Sequence, residues 1–67
     1  SYNNMAYTYR MMEQFDKALP YHRKAIDVST RLLGAENIYT GIYLSKMAES
    51  YFGKRDFSSA LEIIQEV

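Results

Sequence analysis

The sequence predicts an all-α fold built from tandem antiparallel helix–turn–helix repeats. Apolar residues recur at the three- and four-residue spacing of helices, nothing alternates usefully with period two, and the chain resembles itself after 42 residues. This shift gives six identities in 25 overlapping positions, where chance gives roughly one or two. The six pairs are all small or apolar: Met5 and Met47, Ala6 and Ala48, Tyr9 and Tyr51, Phe15 and Phe57, Ala18 and Ala60, Leu19 and Leu61.

Residues 1–34 are expected to form the first helix pair, with short breaks that make the helices antiparallel neighbours. Glu13 and Gln14 separate the two helices, Asp16 is an N-cap or first-turn residue, Pro20 falls about one turn into the second helix, and Gly34 ends it. The apolar stripe of the first helix consists of Tyr2, Met5, Ala6, Tyr9 and Met12. One face of the second helix carries Phe15, Ala18, Leu19, His22, Ala25, Ile26, Ser29 and Leu33.

Residues 35–67 are expected to form the second helix pair, which is truncated at its C-terminus. Asn37 is predicted to cap a third helix that runs from about Ile38 to Phe52, and Ser58 to cap a fourth. The predicted stripes are Leu44, Met47, Ala48 and Tyr51 on the third helix, and Phe57, Ala60, Leu61 and Ile64 on the fourth.

Composition and charge exclude several classes of function. The chain has 67 residues, which is at most one domain, and lacks cysteine, which excludes a disulfide framework and thiolate zinc sites. Its eight basic and eight acidic residues form no stripe, and no apolar run is long enough to span a bilayer, so we expect neither nucleic-acid nor membrane partners. We expect a cytoplasmic protein and, since the chain begins at Ser1 and ends inside an apolar pattern, a fragment of something longer.

The repeated residues resemble a tetratricopeptide repeat. The elements are a small residue on the first helix, a tyrosine three positions later, an aromatic residue at the turn, and an alanine three beyond it. The 42-residue period and long second helix are similar to the kinesin-light-chain subtype. The segments that carry this likeness are residues 2–6 (YNNMA), residues 15–20 (FDKALP) and residues 33–37 (LGAEN), followed by Thr40.

Several residues depart from the family pattern. Glu13 and Arg55 stand where the family commonly has a glycine just before the second helix, so we expect a strained or reshaped turn there. His22 replaces an expected aromatic residue, and Ser45 and Lys46 replace the asparagine pair in the second repeat.

The resemblance implies a curved stack in which the first helix of each pair lines the inner face. Polar residues opposite the apolar stripes then line a groove, and asparagine and basic side chains there clamp extended peptides in related arrays. Asn4 and Lys46 hold equivalent positions and are predicted to lie on one concave side. The candidate groove residues are Asn3, Asn4, Tyr7, Arg10, Ser45, Lys46 and Glu49.

Other polar residues are interpreted as structural. His22 lacks the partners of a catalytic or metal site and is expected to pack inside or at the rim. Glu62 and Glu66 are expected to form a solvated face, and Asp27 to pair with Arg23 and Arg31 along one helix.

The sequence therefore predicts a protein–protein interaction module that docks a peptide or helix, with no catalysis, cofactor or metal ion. Two alternatives are a peptide-sensing array of a bacterial regulator and a substrate-positioning module of a larger enzyme. The structural rival is a stand-alone four-helix bundle, in which all four stripes meet in one core. Exposed apolar faces at both ends predict self-association or missing neighbouring repeats.

Overall fold

A computed structural model describes the backbone of residues 1–66 and the side chains of residues 1–65. The four helices are α1 (Tyr2–Met11), α2 (Phe15–Leu33), α3 (Ile38–Gly53) and α4 (Phe57–Glu66), and the described residues include no strand. The predicted all-α repeat architecture is therefore confirmed. None of the helices in residues 1–66 is both long and apolar enough to cross a membrane.

The helix ends follow local capping chemistry. Asp16 lies in the first turn of α2, and Gly34 ends that helix with φ 99°, a left-handed conformation that glycine adopts without steric cost. Asn37 caps α3 as predicted, because its Oδ1 accepts a hydrogen bond from the Tyr39 amide at 2.9 Å. The prediction that Ser58 caps α4 is wrong. Asp56 has that role, since its carboxylate accepts the backbone N–H and the hydroxyl of Ser59.

The helices pack in chain order, α1 on α2, α2 on α3 and α3 on α4. Within the described residues α1 makes no extensive contact with α4, and the molecule is flat, with extents of 29 × 26 × 14 Å. A four-helix bundle would bring the first and last helices together around one core. The packing order therefore favours the stacked repeat over the bundle.

Small residues allow the helices to approach closely. Ala6, Ala18 and Ala60 are completely inaccessible to solvent, and Ala48 is nearly so. Two of these alanines belong to each helix pair, at equivalent repeat positions. Their burial is the predicted outcome, because a larger side chain at these contacts would push neighbouring helix axes apart.

The second helix joins the two pairs at a junction that we call the α2–α3 junction. Leu19 from α2 belongs to one apolar cluster with four residues of the second pair: Ala48, Tyr51, Ala60 and Ile63. Leu44 and Met47 pack against this cluster. At the edge of the junction, Lys54 donates a hydrogen bond to Asp16 at 2.5 Å. The Phe15 ring lies so close to Gly53 that a Cβ at that position would collide with it.

Equivalent apolar residues are buried at the junction and exposed at the ends of the molecule. Leu19 is 7% exposed because α3 covers it, whereas its repeat equivalent Leu61 is 55% exposed. Ile64 and Phe57 are also exposed beside Leu61, and Tyr2 and Met5 are exposed at the opposite end. The predicted exposure of apolar faces at both ends is confirmed for the described residues.

Both turns within the helix pairs contain a non-glycine residue in the left-handed region, as the missing glycines predict. Glu13 has φ 57° and Arg55 has φ 65°. A residue with a Cβ is less stable there by roughly 1–2 kcal/mol, because the Cβ crowds the following carbonyl. The packing of the flanking helices must hold the backbone in this conformation.

Replacing either residue with glycine should therefore stabilise the fold. We expect Glu13→Gly and Arg55→Gly each to raise the free energy of unfolding by about 1 kcal/mol, measured by urea denaturation. Gln14→Gly is the matched control, because Gln14 has φ −96° and carries no such strain. The control should lower the free energy of unfolding slightly. Equal effects of all three substitutions would contradict this explanation.

Candidate functional site

The polar sides of α1 and α3 meet through an ion pair. Arg10 Nη1 on α1 lies 3.6 Å from Glu49 Oε2 on α3, so two predicted groove residues from different repeats are in contact. The Arg10 guanidinium also lies over the Tyr7 ring, 5.5 Å from its centroid, at a distance typical of cation–π contact. The structure thus brings together three of the seven candidate residues.

The other four candidates differ in exposure and are not joined to this trio by a hydrogen bond. Asn4 and Ser45 are exposed, while Asn3 and Lys46 are half-buried. In the described part of the chain, no hydrogen bond engages the Asn4 side-chain amide, so its donor and acceptor groups both remain available. The placement of Asn4 and Lys46 on one concave side stays a prediction, because no contact links them.

A buried histidine lies beneath the ion pair. The His22 ring is 1% exposed, and its Nε2 lies 2.8 Å from the Ser50 hydroxyl, which is itself fully buried. Burial, followed by the nearby Arg10 guanidinium, lowers the pKa of His22 to about 4. The Glu49 carboxylate raises the pKa of His22 and the Lys46 ammonium lowers it further. All three charged groove residues therefore lie within electrostatic reach of the ring. The interpretation of His22 as a packed residue is confirmed.

The sequence did not predict the hydrogen bonds that buried serine and threonine hydroxyls make between α2 and α3. Ser29 Oγ on α2 lies 2.6 Å from Thr40 Oγ1 on α3, and Thr40 also donates to the Gly34 carbonyl at 2.9 Å. With His22 and Ser50, these form two buried polar contacts between α2 and α3. The helical spacing of the third stripe could have indicated Thr40 and Ser50, which flank apolar positions, but small hydroxyl residues are usually read as surface.

One predicted ion pair forms and another does not. Asp27 and Arg31 pair at 3.0 Å across one helical turn, as expected. The Arg23 guanidinium instead donates to the Tyr51 hydroxyl at 2.5 Å, so it ties α2 to α3 rather than to its own helix. Glu62 is exposed, but the side chain of its predicted neighbour Glu66 lies outside the described residues. No group of three or more His, Cys, Asp or Glu side chains within residues 1–65 could hold a metal ion.

Comparison with protein families decides the identity of this fold. A family model described as tetratricopeptide repeat matches residues 1–67. The chain belongs to the tetratricopeptide-repeat family. Tetratricopeptide repeats are generally protein–protein interaction modules and typically non-catalytic scaffolds. A comparison with curated proteins found no match, and a comparison with solved structures found none either.

The buried histidine makes the stability of this tetratricopeptide fold depend on pH. In the unfolded chain His22 has its ordinary pKa near 6.5, but in the fold its pKa is about 4, so the unfolded state binds the proton more tightly. The free energy of unfolding should therefore fall as the pH is lowered from 6.5 to 4, by up to about 3 kcal/mol. Urea denaturation at several pH values measures this fall.

His22→Phe provides the control, because it keeps an aromatic ring and removes the titrating group. Its free energy of unfolding should change much less between pH 6.5 and 4. Hydrogen bonds from Ser59 also lower the pKa of Asp56. The stability that the Asp56 carboxylate contributes is lost only below its ordinary pKa of 3.8, outside the range in which His22 acts. A variant with the same pH dependence as the wild type would show that His22 is not the responsible group.

Proposed function

We propose that this chain docks a peptide or helix of a partner protein on the concave side of α1 and α3. The two repeat units, residues 1–34 and 35–67, each contribute one helix to this surface. We call it the α1/α3 face, and it consists of Asn3, Asn4, Tyr7, Arg10, Ser45, Lys46 and Glu49.

The observation that carries the proposal is the contact between Arg10 and Glu49. This 3.6 Å ion pair connects the polar sides of two helices that belong to different repeats. A surface shared by consecutive repeats can contact a bound peptide along a greater length than one helix could. The ion pair supports a continuous α1/α3 face rather than two separate patches.

The chemistry of the face suits an extended polypeptide. The unengaged Asn4 amide can donate to a peptide carbonyl and accept from a peptide N–H, and Tyr7 offers apolar area with a polar tip. Arg10 and Lys46 are cations and Glu49 is the one carboxylate among the seven, so the face has a net charge of +1 (2 − 1). This charge favours a partner segment that carries a carboxylate.

The contacts of the face indicate passive recognition. Arg10 is positioned by Tyr7 and Glu49 before any partner arrives, so less side-chain freedom is lost on binding. Beneath it, the buried His22–Ser50 contact joins α2 to α3. Docking of this kind makes or breaks no covalent bond.

Peptides selected from a random displayed library on the immobilised chain provide the test. We expect Asn4→Ala and Lys46→Ala each to lower the affinity for the selected peptides about five- to tenfold, because each removes one hydrogen bond or charge contact. Fluorescence anisotropy of labelled peptides measures these affinities, and circular dichroism checks that each variant stays folded.

Lys24→Ala is the matched control for loss of a lysine. Lys24 is on α2 and is not one of the seven residues of the α1/α3 face; its ammonium lies over the rings of Tyr2 and Tyr21, 5.5 and 5.6 Å from their centroids. Its replacement should leave the affinities unchanged. Peptides whose affinity depends on Lys24 but not on Asn4 or Lys46 would refute the proposed docking face.

A further inference from the structure

The single histidine of the chain is a buried titratable group beneath the α1/α3 face. The His22 ring on α2 is 1% exposed, and its Nε2 lies 2.8 Å from the Ser50 hydroxyl oxygen on α3. Its other ring nitrogen, Nδ1, is also buried and has no hydrogen-bond partner among the residues whose side chains are described. An apolar ring would fill this space without any polar atom to satisfy, so packing alone does not require a histidine here.

The surroundings of the ring suit the neutral imidazole and not the imidazolium. In the neutral form Nε2 can donate to the Ser50 hydroxyl, which leaves only a lone pair on Nδ1. Protonation of His22 adds an N–H at Nδ1, where no described group is placed to accept a hydrogen bond. A buried charged donor without an acceptor is strongly unfavourable. The packing around His22 therefore favours the neutral ring.

The charged groups that act on the ring also disfavour its protonation. Among the described residues these groups are Arg10 on α1 and Lys46 and Glu49 on α3. Arg10 and Lys46 are cations, so an imidazolium would be the third positive charge in the cluster. The Glu49 side chain is 57% exposed and its carboxylate lies 3.6 Å from Arg10, so solvent and Arg10 both weaken its attraction for the ring. The cluster as a whole resists a proton on His22.

The same contacts connect the buried ring to the α1/α3 face. Ser50, which lies against His22, directly follows Glu49 in α3. Glu49 in turn pairs with Arg10 of the other repeat. A ring that leaves the interior releases Ser50, and with it the position of Glu49 relative to α1. The ion pair that joins the two repeats on this face therefore depends on a contact that the neutral ring makes.

We propose that His22 is an acid-sensitive switch for the α1/α3 face, in which protonation of the buried ring displaces α3 from its place beside α1 and releases the docked partner. This inference rests on the docking function proposed above. The closed state holds the neutral ring, aligns Arg10 with Glu49 and binds the partner. The open state exposes the ring to water, where it takes up a proton, and lacks the surface that the two repeats share.

The size of the effect follows from how tightly each state binds the proton. A His22 ring that is exposed in the open state has its ordinary pKa of 6.5, whereas in the closed state its pKa is about 4. The ratio of open to closed chains should therefore rise about 15-fold between pH 6.5 and pH 5. A partner that binds only the closed state loses affinity in proportion to the closed fraction. No other side-chain type has its ordinary pKa in this range, so the response reports on His22.

The test compares the wild type with two variants that cannot take up this proton, His22→Phe and His22→Gln. Peptides selected as above, whose binding depends on Asn4 and Lys46, are measured by fluorescence anisotropy at pH 6.5 and at pH 5. The wild-type affinity should fall about three- to tenfold, and that of each variant less than about twofold. Phenylalanine keeps an aromatic ring, and glutamine keeps a group that can hydrogen-bond to Ser50. Titration of the peptide itself is common to all three proteins and cancels in the comparison.

The outcomes separate the switch from the docking face. Equal losses in all three proteins, an unchanged wild-type affinity, or a wild-type affinity that rises in acid would overturn the switch and leave the docking face standing. Peptides that bind independently of Asn4 and Lys46 would refute the face, and the switch with it. Circular dichroism should show that the wild type keeps most of its helical signal at pH 5, because a general loss of helix would mean unfolding and contradict a local switch. If one variant loses its helical signal at pH 6.5, the other variant still makes the comparison.

Discussion

The packing of Leu19 against the second helix pair is the contact on which the rest of the structure depends. A single helical hairpin cannot bury its apolar face alone, so it gains stability when a neighbour covers the outer side of its second helix. Here α3 supplies that cover, and Leu19 joins Tyr51 and Ile63 in one cluster. Two further contacts hold the end of the same junction. The Phe15 ring packs on Gly53, and Lys54 donates a hydrogen bond to Asp16.

Polar contacts across this junction determine which relative positions of the helices are allowed. Apolar side chains can slide against one another at little cost, but a buried hydroxyl or imidazole without a partner is unfavourable. His22 with Ser50, and Ser29 with Thr40, therefore favour one register of α2 on α3. The same register places Arg10 beside Glu49, so the candidate binding surface depends on contacts that lie beneath it.

Much of the fold could be predicted from the sequence because its signals are local or repeated. Gly34 and Asn37 act within one turn of the backbone, and the alanines recur with the period of the repeat. The role of Asp56 was assigned to Ser58 because a helix start is uncertain by a residue or two, and both residue types are good caps. The partner of Arg23 was missed for a different reason: Tyr51 is 28 residues away, and only the packed junction brings the two together.

The candidate site was predictable only in part. The polar sides of α1 and α3 follow from helical spacing, but the contact between Arg10 and Glu49 depends on the angle at which the two repeats stack. The helical spacing places Ser50 beside the apolar stripe of α3, but it does not decide by itself between burial and solvent exposure for a serine. Leu61 illustrates the same limit, because its pattern matches that of Leu19 and its exposure depends entirely on whether another helix follows.

A comparison of Leu19 with Leu61 tests most directly whether the α2–α3 junction stabilises the fold. They are the same residue at the same repeat position, and they differ in whether a neighbouring helix covers them. Urea denaturation in dilute solution should show that Leu19→Ala lowers the free energy of unfolding by about 2–4 kcal/mol, as expected for a buried leucine. Leu61→Ala should lower it by less than about 1 kcal/mol. Equal losses for the two variants would contradict the central role of the α2–α3 junction.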